Sequence, residues 1–259
     1  MTSTSPTDPG VPRLGDVVAV LAVKRLGEAK TRLAASRASA SDGLHRELVL
    51  AMLLDTMDAL RRSGIDHSVV ISPDDGVLAA AHRVGAASVR ESAGRGAGLD
   101  RLNQAYADAA TVARRRWPTA RTVMLVQADL PAATPDSFRS VVIQARGMRQ
   151  AVLADRDGAG TTLLLRRSDI LEPPHFGPDS AAAHREAGAV ELDPEHLRWA
   201  DLRTDVDTAE DLDAALALGV GHHTAAALGK RHPAPERAPA MASEPMSVTK
   251  RFRPARDAS

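Results

Sequence analysis

The chain has 259 residues, 44% of them hydrophobic and 25% charged, proportions that suit a soluble globular protein of one large domain or two small ones. Its 33 basic and 33 acidic residues cancel, so no global field draws it to nucleic acid or an anionic membrane, and any anion must be held by a local cluster. With no cysteine, disulfides, zinc–thiolate sites and thiol nucleophiles are excluded.

No apolar run approaches the roughly 20 residues of a membrane helix. Met1–Gly10 is polar and rich in Ser, Thr and Pro, without a hydrophobic signal core, so a cytoplasmic protein is expected. Residues 1–15 read as a disordered leader. Residues 222–259, rich in Ala, Pro and charge, read as a disordered tail, because such a composition buries too little apolar surface to offset chain entropy. The folded body is then a single domain, residues 16–221.

In chain order, Val17–Val23 is a continuous β-branched run and predicts a buried strand. A helix follows, opening at Ser41 or Asp42 and closing at Gly64. His67–Ser72 predicts a second strand, Val77–Val84 a short helix and Ala87–Arg90 a brief strand. Leu99–Arg116 reads as a helix and Thr122–Leu130 as a strand. Thr134 and Pro135 supply a cap and a first helical residue for the next helix. Ala151–Asp157 and Thr161–Arg167 predict two more strands. Thr208 and Asp211 form a capping-box start for the last helix, which Gly219 ends. The alternation predicts an α/β fold with a mainly parallel sheet and helices on both faces, whose ligands bind beyond the carboxyl ends of the strands.

Four segments at such ends could carry chemistry. The loop after the first strand holds Lys24, Arg25, Lys30 and Arg32, cations that suit a triphosphate. It is not a Walker A loop, because Gly27 stands only three residues before Lys30, and the plainer alternative is a solvated basic loop. Asp129 closes "LVQAD"; it can ligate magnesium or simply cap a turn. Asp205 and Asp207 alternate, so in an extended segment they face one side. Asp207 and Asp129 would share a magnesium site if their segments are neighbours. Lastly, Gly158 and Gly160 precede Thr161 and Thr162, and Gly177 leads to Asp179 and Ser180 at the start of an Ala-rich helix. Hydroxyls and backbone N–H groups there suit a carboxylate or phosphate, while the plainer readings are a hairpin turn and a helix cap. His175, His184, His222 and His223 lack H-x-x-x-H or H-E-x-x-H spacing, and no metal is assigned to them. Without G-x-S-x-G or cysteine, a covalent acyl mechanism has no support.

The segments "AVKRLGEAKTRLA", "VQADLPA", "DRDGAGTTLL", "FGPDSAAAHREAGAVEL" and "LRTDVDTAEDL" together span the folded body. In them the chain resembles the phosphoenolpyruvate / 2-phospho-L-lactate guanylyltransferase family (CofC-like) of coenzyme F-420 biosynthesis. The resemblance implies a single Rossmann-like domain of the nucleotide-diphospho-sugar transferase type. It implies GTP and phosphoenolpyruvate as substrates, and magnesium on Asp129 and Asp207. Lys24, Lys30 and Arg32 would meet the GTP phosphates, and Thr161, Gly177 and Ser180 would hold the phosphoenolpyruvate. Thr161 is preferred to Thr162 because it directly follows Gly160. Pocket shape would choose among phosphoenolpyruvate, 2-phospho-L-lactate and 3-phosphoglycerate, and a related cytidylyl- or molybdopterin-type nucleotidyltransferase is the alternative. Ser72–Asp75 and Asn103 are candidates to pair with a guanine edge. A downstream transferase would be a transient partner.

Overall fold

Among the described residues seven strands lie side by side in the order β3-β2-β1-β4-β6-β5-β7. They are β1 (Val17–Ala22), β2 (His67–Ser72), β3 (Ala87–Arg90), β4 (Thr122–Val126), β5 (Gln150–Ala154), β6 (Thr161–Arg167) and β7 (Val190–Glu191). Every pairing is parallel except the two made by β6, which runs antiparallel between β4 and β5. The computed structural model describes residues 14–24, 26, 42–92 and 98–229.

Strand geometry splits each apolar run between two faces. Val17, Ala19 and Leu21 of β1, with Met124 and Val126 of β4, join one core. Against it lie α1 (Asp42–Arg62), through Leu48, Met52 and Leu60, and α4 (Pro135–Gln144), through Phe138 and Val141. Val18 and Val20 face the other way and meet α3 (Gly98–Arg116). That helix buries Ala105, Ala109, Ala110 and Ala113 on one stripe, and these small side chains let it lie close to the sheet. Its one bulky buried residue, Tyr106, stacks on Phe176 and donates its hydroxyl to the carbonyl of Val126 at 3.1 Å. Burial raises the Tyr106 phenol well above its ordinary value.

The remaining helices are α2 (Asp75–Arg83), α5 (Ser180–Glu186), α6 (Ala200–Arg203), α7 (Ala209–Leu218) and α8 (His222–Ala227). Thr134 caps α4, with Pro135 at its first position, and Thr208 with Asp211 closes a reciprocal capping box on α7, as the sequence predicts. Among the described residues no helix is long and apolar enough to cross a membrane.

Several extents differ from those expected: β5 stops at Ala154 rather than Asp157, β1 at Ala22 rather than Val23, α2 spans Asp75–Arg83 rather than Val77–Val84, and two further differences have a visible cause. β4 ends at Val126, not Leu130, because the Leu130 N–H turns away to the Thr56 hydroxyl at 3.1 Å. Helix α8 begins at His222, where the sequence reads as the start of a tail. Asp55 explains it: its carboxylate takes the N–H groups of His223 at 3.0 Å and Thr224 at 2.8 Å, capping α8 onto α1. No Cβ would fit at Gly221, since it would stand 2.3 Å from that carboxylate.

Candidate active site at the carboxyl ends of β1 and β4

After β1 the chain leaves for β2 and β3 on one side, and β4 begins the other side. Such a switch point opens a crevice beyond the strand ends. Lys24 and Asp129 both follow these strand ends, each three residues past the paired residues Leu21 and Val126. Lys24 is exposed and Asp129 is buried. Lys30 and Arg32 lie outside the described residues.

The acidic segments meet. The Val206 N–H donates to the backbone carbonyl of Asp129 at 3.1 Å. Val206 is fully buried, and its neighbours Asp205 and Asp207 are half-buried and exposed, the alternation expected of extended chain. The structure therefore brings the 205–207 segment alongside Asp129, although they are distant in sequence. Asp129, Asp205 and Asp207 carry carboxylates, hard oxygen donors of the kind magnesium takes, although the group of three metal-ligating side chains with atoms within 4.8 Å among the described residues lies elsewhere.

Two residues that the sequence reading did not single out hold this junction. Thr56 on α1 accepts the Leu130 N–H and donates to the Met52 carbonyl at 2.9 Å, fixing the turn after Asp129. Arg203, 2% exposed, spreads its guanidinium over the carbonyls of Ala154 (2.8 Å), Leu192 (3.1 Å), Asp193 (2.6 Å) and Arg198 (3.2 Å) and over the Asp193 carboxylate (3.1 Å). It thereby pins the entry to the acidic segment against the ends of β5 and β7.

The third element is a hydroxyl pair. The Gln127 N–H donates to the Thr162 carbonyl at 2.9 Å, so β6 starts beside the end of β4. Thr161 and Ser180 are both buried, their oxygens 3.1 Å apart. Thr162 points elsewhere and bonds the Leu153 carbonyl at 3.4 Å. Gly177 has φ +148, a backbone conformation that residues with a side chain rarely adopt, so this turn favours glycine.

Two proposed anion contacts are otherwise engaged. Gly158 and Gly160 form the β5–β6 hairpin turn, with the Gly160 N–H donated to Asp155 at 2.9 Å. At the start of α5 the N–H groups of Ser180 and Ala181 are taken by the carbonyls of Gly177 (3.2 Å) and Ala159 (3.0 Å). That leaves the hydroxyls, rather than these amides, to meet a ligand. The guanine candidates are also engaged. Asp74 caps α2, and although burial alone would raise it, hydrogen bonds from Leu26, Gly76 and Val77 with the Arg46 charge hold its carboxyl below the ordinary value. Asn103 donates to the Phe176 carbonyl at 3.0 Å and accepts its N–H at 2.8 Å, clamping the loop before Gly177.

His184 lies one helical turn after Ser180, a same-face spacing that could have flagged it. It is 2% exposed. Burial, then the charges of His175 and Arg166, lower its pKa from 6.5 to about 4. Between those values the unfolded chain takes up a proton that the folded protein refuses, so stability falls as pH falls through this window. From about pH 7 to about pH 5 the loss from this group is about 2 kcal/mol. Urea unfolding of wild type and His184→Asn at both pH values checks it: the wild type loses about that much more than the variant, and equal losses contradict the assignment.

Elsewhere, Asp55, His222 and His223 bring one ligand atom each within 4.8 Å of one another, a group with metal-ligating chemistry whose carboxylate already caps α8. A cavity of about 690 Å³ opens at the other end of the sheet, lined by Thr122, Arg121, Arg146 and Arg167. It touches none of Lys24, Asp129, Asp205, Asp207, Thr161 and Ser180, so the acids and hydroxyls mark the opposite, chemically equipped end.

Comparison with known proteins gives the family. The family described as "Guanylyl transferase CofC like" matches residues 17–232. The chain is 42% identical over 212 residues to a phosphoenolpyruvate guanylyltransferase of Mycobacterium marinum, covering 82% of this chain and 93% of that protein. It is 43% identical over 217 residues to the protein of the same name from Nocardia farcinica, covering 82% and 90%. A nucleotidyl transferase from Methanothermobacter thermautotroptrophicus superposes with a TM-score of 0.54 at 17% identity, covering 78% of this chain and 98% of that one. A crystal structure from Desulfovibrio desulfuricans, described as a "putative nucleotide-diphospho-sugar transferase", gives 0.52 at 16%, covering 77% and 86%. The two solved structures speak to the fold alone.

Proposed function

Because the chain belongs to the CofC-like guanylyl transferase family, we propose that it transfers GMP from GTP to phosphoenolpyruvate, in the cytoplasm, as a step towards coenzyme F-420. The observation that supports this site is the contact of the 205–207 acidic segment with Asp129, at the sheet end where Lys24 follows β1 and Thr161 opens β6 against Ser180. A phosphate oxygen of phosphoenolpyruvate attacks the α-phosphorus of GTP. A new P–O bond forms, the bond from the α-phosphorus to the bridging oxygen breaks, and pyrophosphate leaves with the electron pair. The attacking phosphate is already ionised, so no protein nucleophile or general base is needed, and catalysis consists of alignment and charge stabilisation.

In this reading Thr161, Ser180 and the Gly177 turn hold the acid, and Lys24, Lys30 and Arg32 offset charge on the triphosphate. Asp129 and Asp207 would hold magnesium, which when bound supplies Lewis-acid stabilisation of the phosphoryl oxygens. The product, a mixed diphosphate of guanosine and an enol acid, is the kind of activated donor that a downstream transferase consumes.

A substrate panel tests the reading. Pyrophosphate release is measured with GTP and, in turn, phosphoenolpyruvate, 2-phospho-L-lactate and 3-phosphoglycerate, then with ATP or CTP replacing GTP. GTP with phosphoenolpyruvate is expected to give the highest kcat/KM. Faster release with CTP, or with either other acid, overturns the substrate assignment.

A further inference from the structure

The hydroxyl pair does not stand alone. Asn103 on α3 clamps the backbone of Phe176 through both its amide atoms. The preceding residue, His175, directs its backbone N–H onto His184 Nε2 at 3.0 Å. On the other side of the ring, His184 Nδ1 lies 3.0 Å from Thr161 Oγ1, which lies 3.1 Å from Ser180 Oγ.

A backbone N–H can only donate, so Nε2 must be the acceptor, and the neutral ring carries its proton on Nδ1. The other tautomer would set two N–H groups against each other. From this geometry we infer that His184 is a positioning residue: it donates from Nδ1 into the Thr161–Ser180 pair and so leaves one hydroxyl proton of that pair for the substrate. This inference rests on the reading of Thr161 and Ser180 as acid-binding residues.

Proton counting gives the reason. The two hydroxyls own two protons. One proton is spent between them. If Nδ1 donates, the other proton points out of the pair, and the site presents a donor. If Nδ1 accepted, the second proton would be spent on the ring, and the site would present only lone pairs. A carboxylate or phosphate oxygen only accepts hydrogen bonds, so the first arrangement attracts it and the second repels it. The depressed basicity of His184 keeps the ring neutral at physiological pH, so His175 N–H keeps its acceptor and the direction of the chain does not change. A buried network with a single permitted direction is already organised before the ligand arrives.

Two experiments test this. The first does not depend on turnover. In the full chain labelled with 15N, long-range proton–nitrogen spectra at neutral pH should show His184 as the Nδ1–H tautomer. An Nε2–H ring overturns the inference even if the enzyme is a phosphoenolpyruvate guanylyltransferase.

The second experiment compares His184→Phe with His184→Asn. Phenylalanine keeps the ring volume but cannot donate. Asparagine can place an N–H near the Nδ1 position. His184→Phe should raise KM for phosphoenolpyruvate on the order of tenfold, the worth of one hydrogen bond to a charged group, with KM for GTP unchanged. His184→Asn should restore the acid KM to within about threefold of wild type. Equal rises in both KM values for His184→Phe, or an acid KM in His184→Asn as high as in His184→Phe, would show a merely structural role and overturn the proposal. If His184→Phe does not fold, the His184→Asn acid KM and the tautomer decide. If the wild type turns over GTP but not phosphoenolpyruvate, the substrate reading fails, while the tautomer still reports on the ring.

Discussion

Asp129→Asn is expected to fold like the wild type and to lose guanylyl transfer on the order of a thousandfold. Asparagine has nearly the same shape, and the backbone carbonyl of Asp129 that accepts the Val206 N–H is untouched. The substitution therefore removes charge while leaving the junction in place. What is lost is one of the two carboxylates assigned to the cation. If that ion contributes about 4 kcal/mol of charge stabilisation, a thousandfold in rate follows. The deficit should lie in kcat, because the contribution is made to charge that develops in the transition state. Steady-state kinetics with saturating GTP and magnesium, together with a melting curve, decide the matter. Turnover within about tenfold of wild type, in a variant with an unchanged melting temperature, would remove Asp129 from the catalytic role. The same outcome would undermine the role of Asp207, since the proposal needs both carboxylates.

Much of the frame around this residue was legible in the sequence because it is encoded locally. The β-branched run of β1 and the cap residues Thr134 and Thr208 each declare an element through neighbours a few positions away. Asp129 and the Asp205–Asp207 pair were legible as candidates because they follow strands or precede a capped helix. That they meet was only a conditional statement, and the Val206–Asp129 contact is a tertiary fact. The residues that escaped notice act across long separations. Asp55 caps α8 from 168 and 169 residues away, so α8 looked like the beginning of a tail. Thr56 sits in mid-helix and shows no pattern at all, yet it ties down the turn after Asp129. His184, nearer its partners, enters the sequence reading only as a histidine without metal-ligand spacing, and its place beside Thr161 emerges once its buried partners are seen. The glycines of the β5–β6 connection show the converse: a pattern that suggested anion binding is satisfied by the demands of a tight turn closed by Asp155.

Arg203→Leu is the substitution expected to cost most stability. The guanidinium is 2% exposed and serves four carbonyls and one carboxylate at once. Leucine fills part of the volume and satisfies none of them. The heaviest consequence falls on Asp193, whose side chain is 6% exposed. Burial alone would raise its carboxyl, and the Arg198 N–H, the Arg203 guanidinium and the Leu197 N–H together hold it below the ordinary value. Without Arg203 a buried negative charge loses its ionic partner, a change that costs about 3–5 kcal/mol. In a domain of this size that is a fall of roughly 10 °C in melting temperature. Asp193→Asn in the same background should recover part of the loss, because it removes the charge that was stranded. Scanning calorimetry of the two single variants and the double variant measures this coupling. A shift of less than about 2 °C for Arg203→Leu, or fully additive effects of the two substitutions, would show that Arg203 is not the fastener of this corner. Activity should fall along with stability, because the backbone leading from Arg203 reaches Val206 in three residues and so sets where the acidic segment meets Asp129.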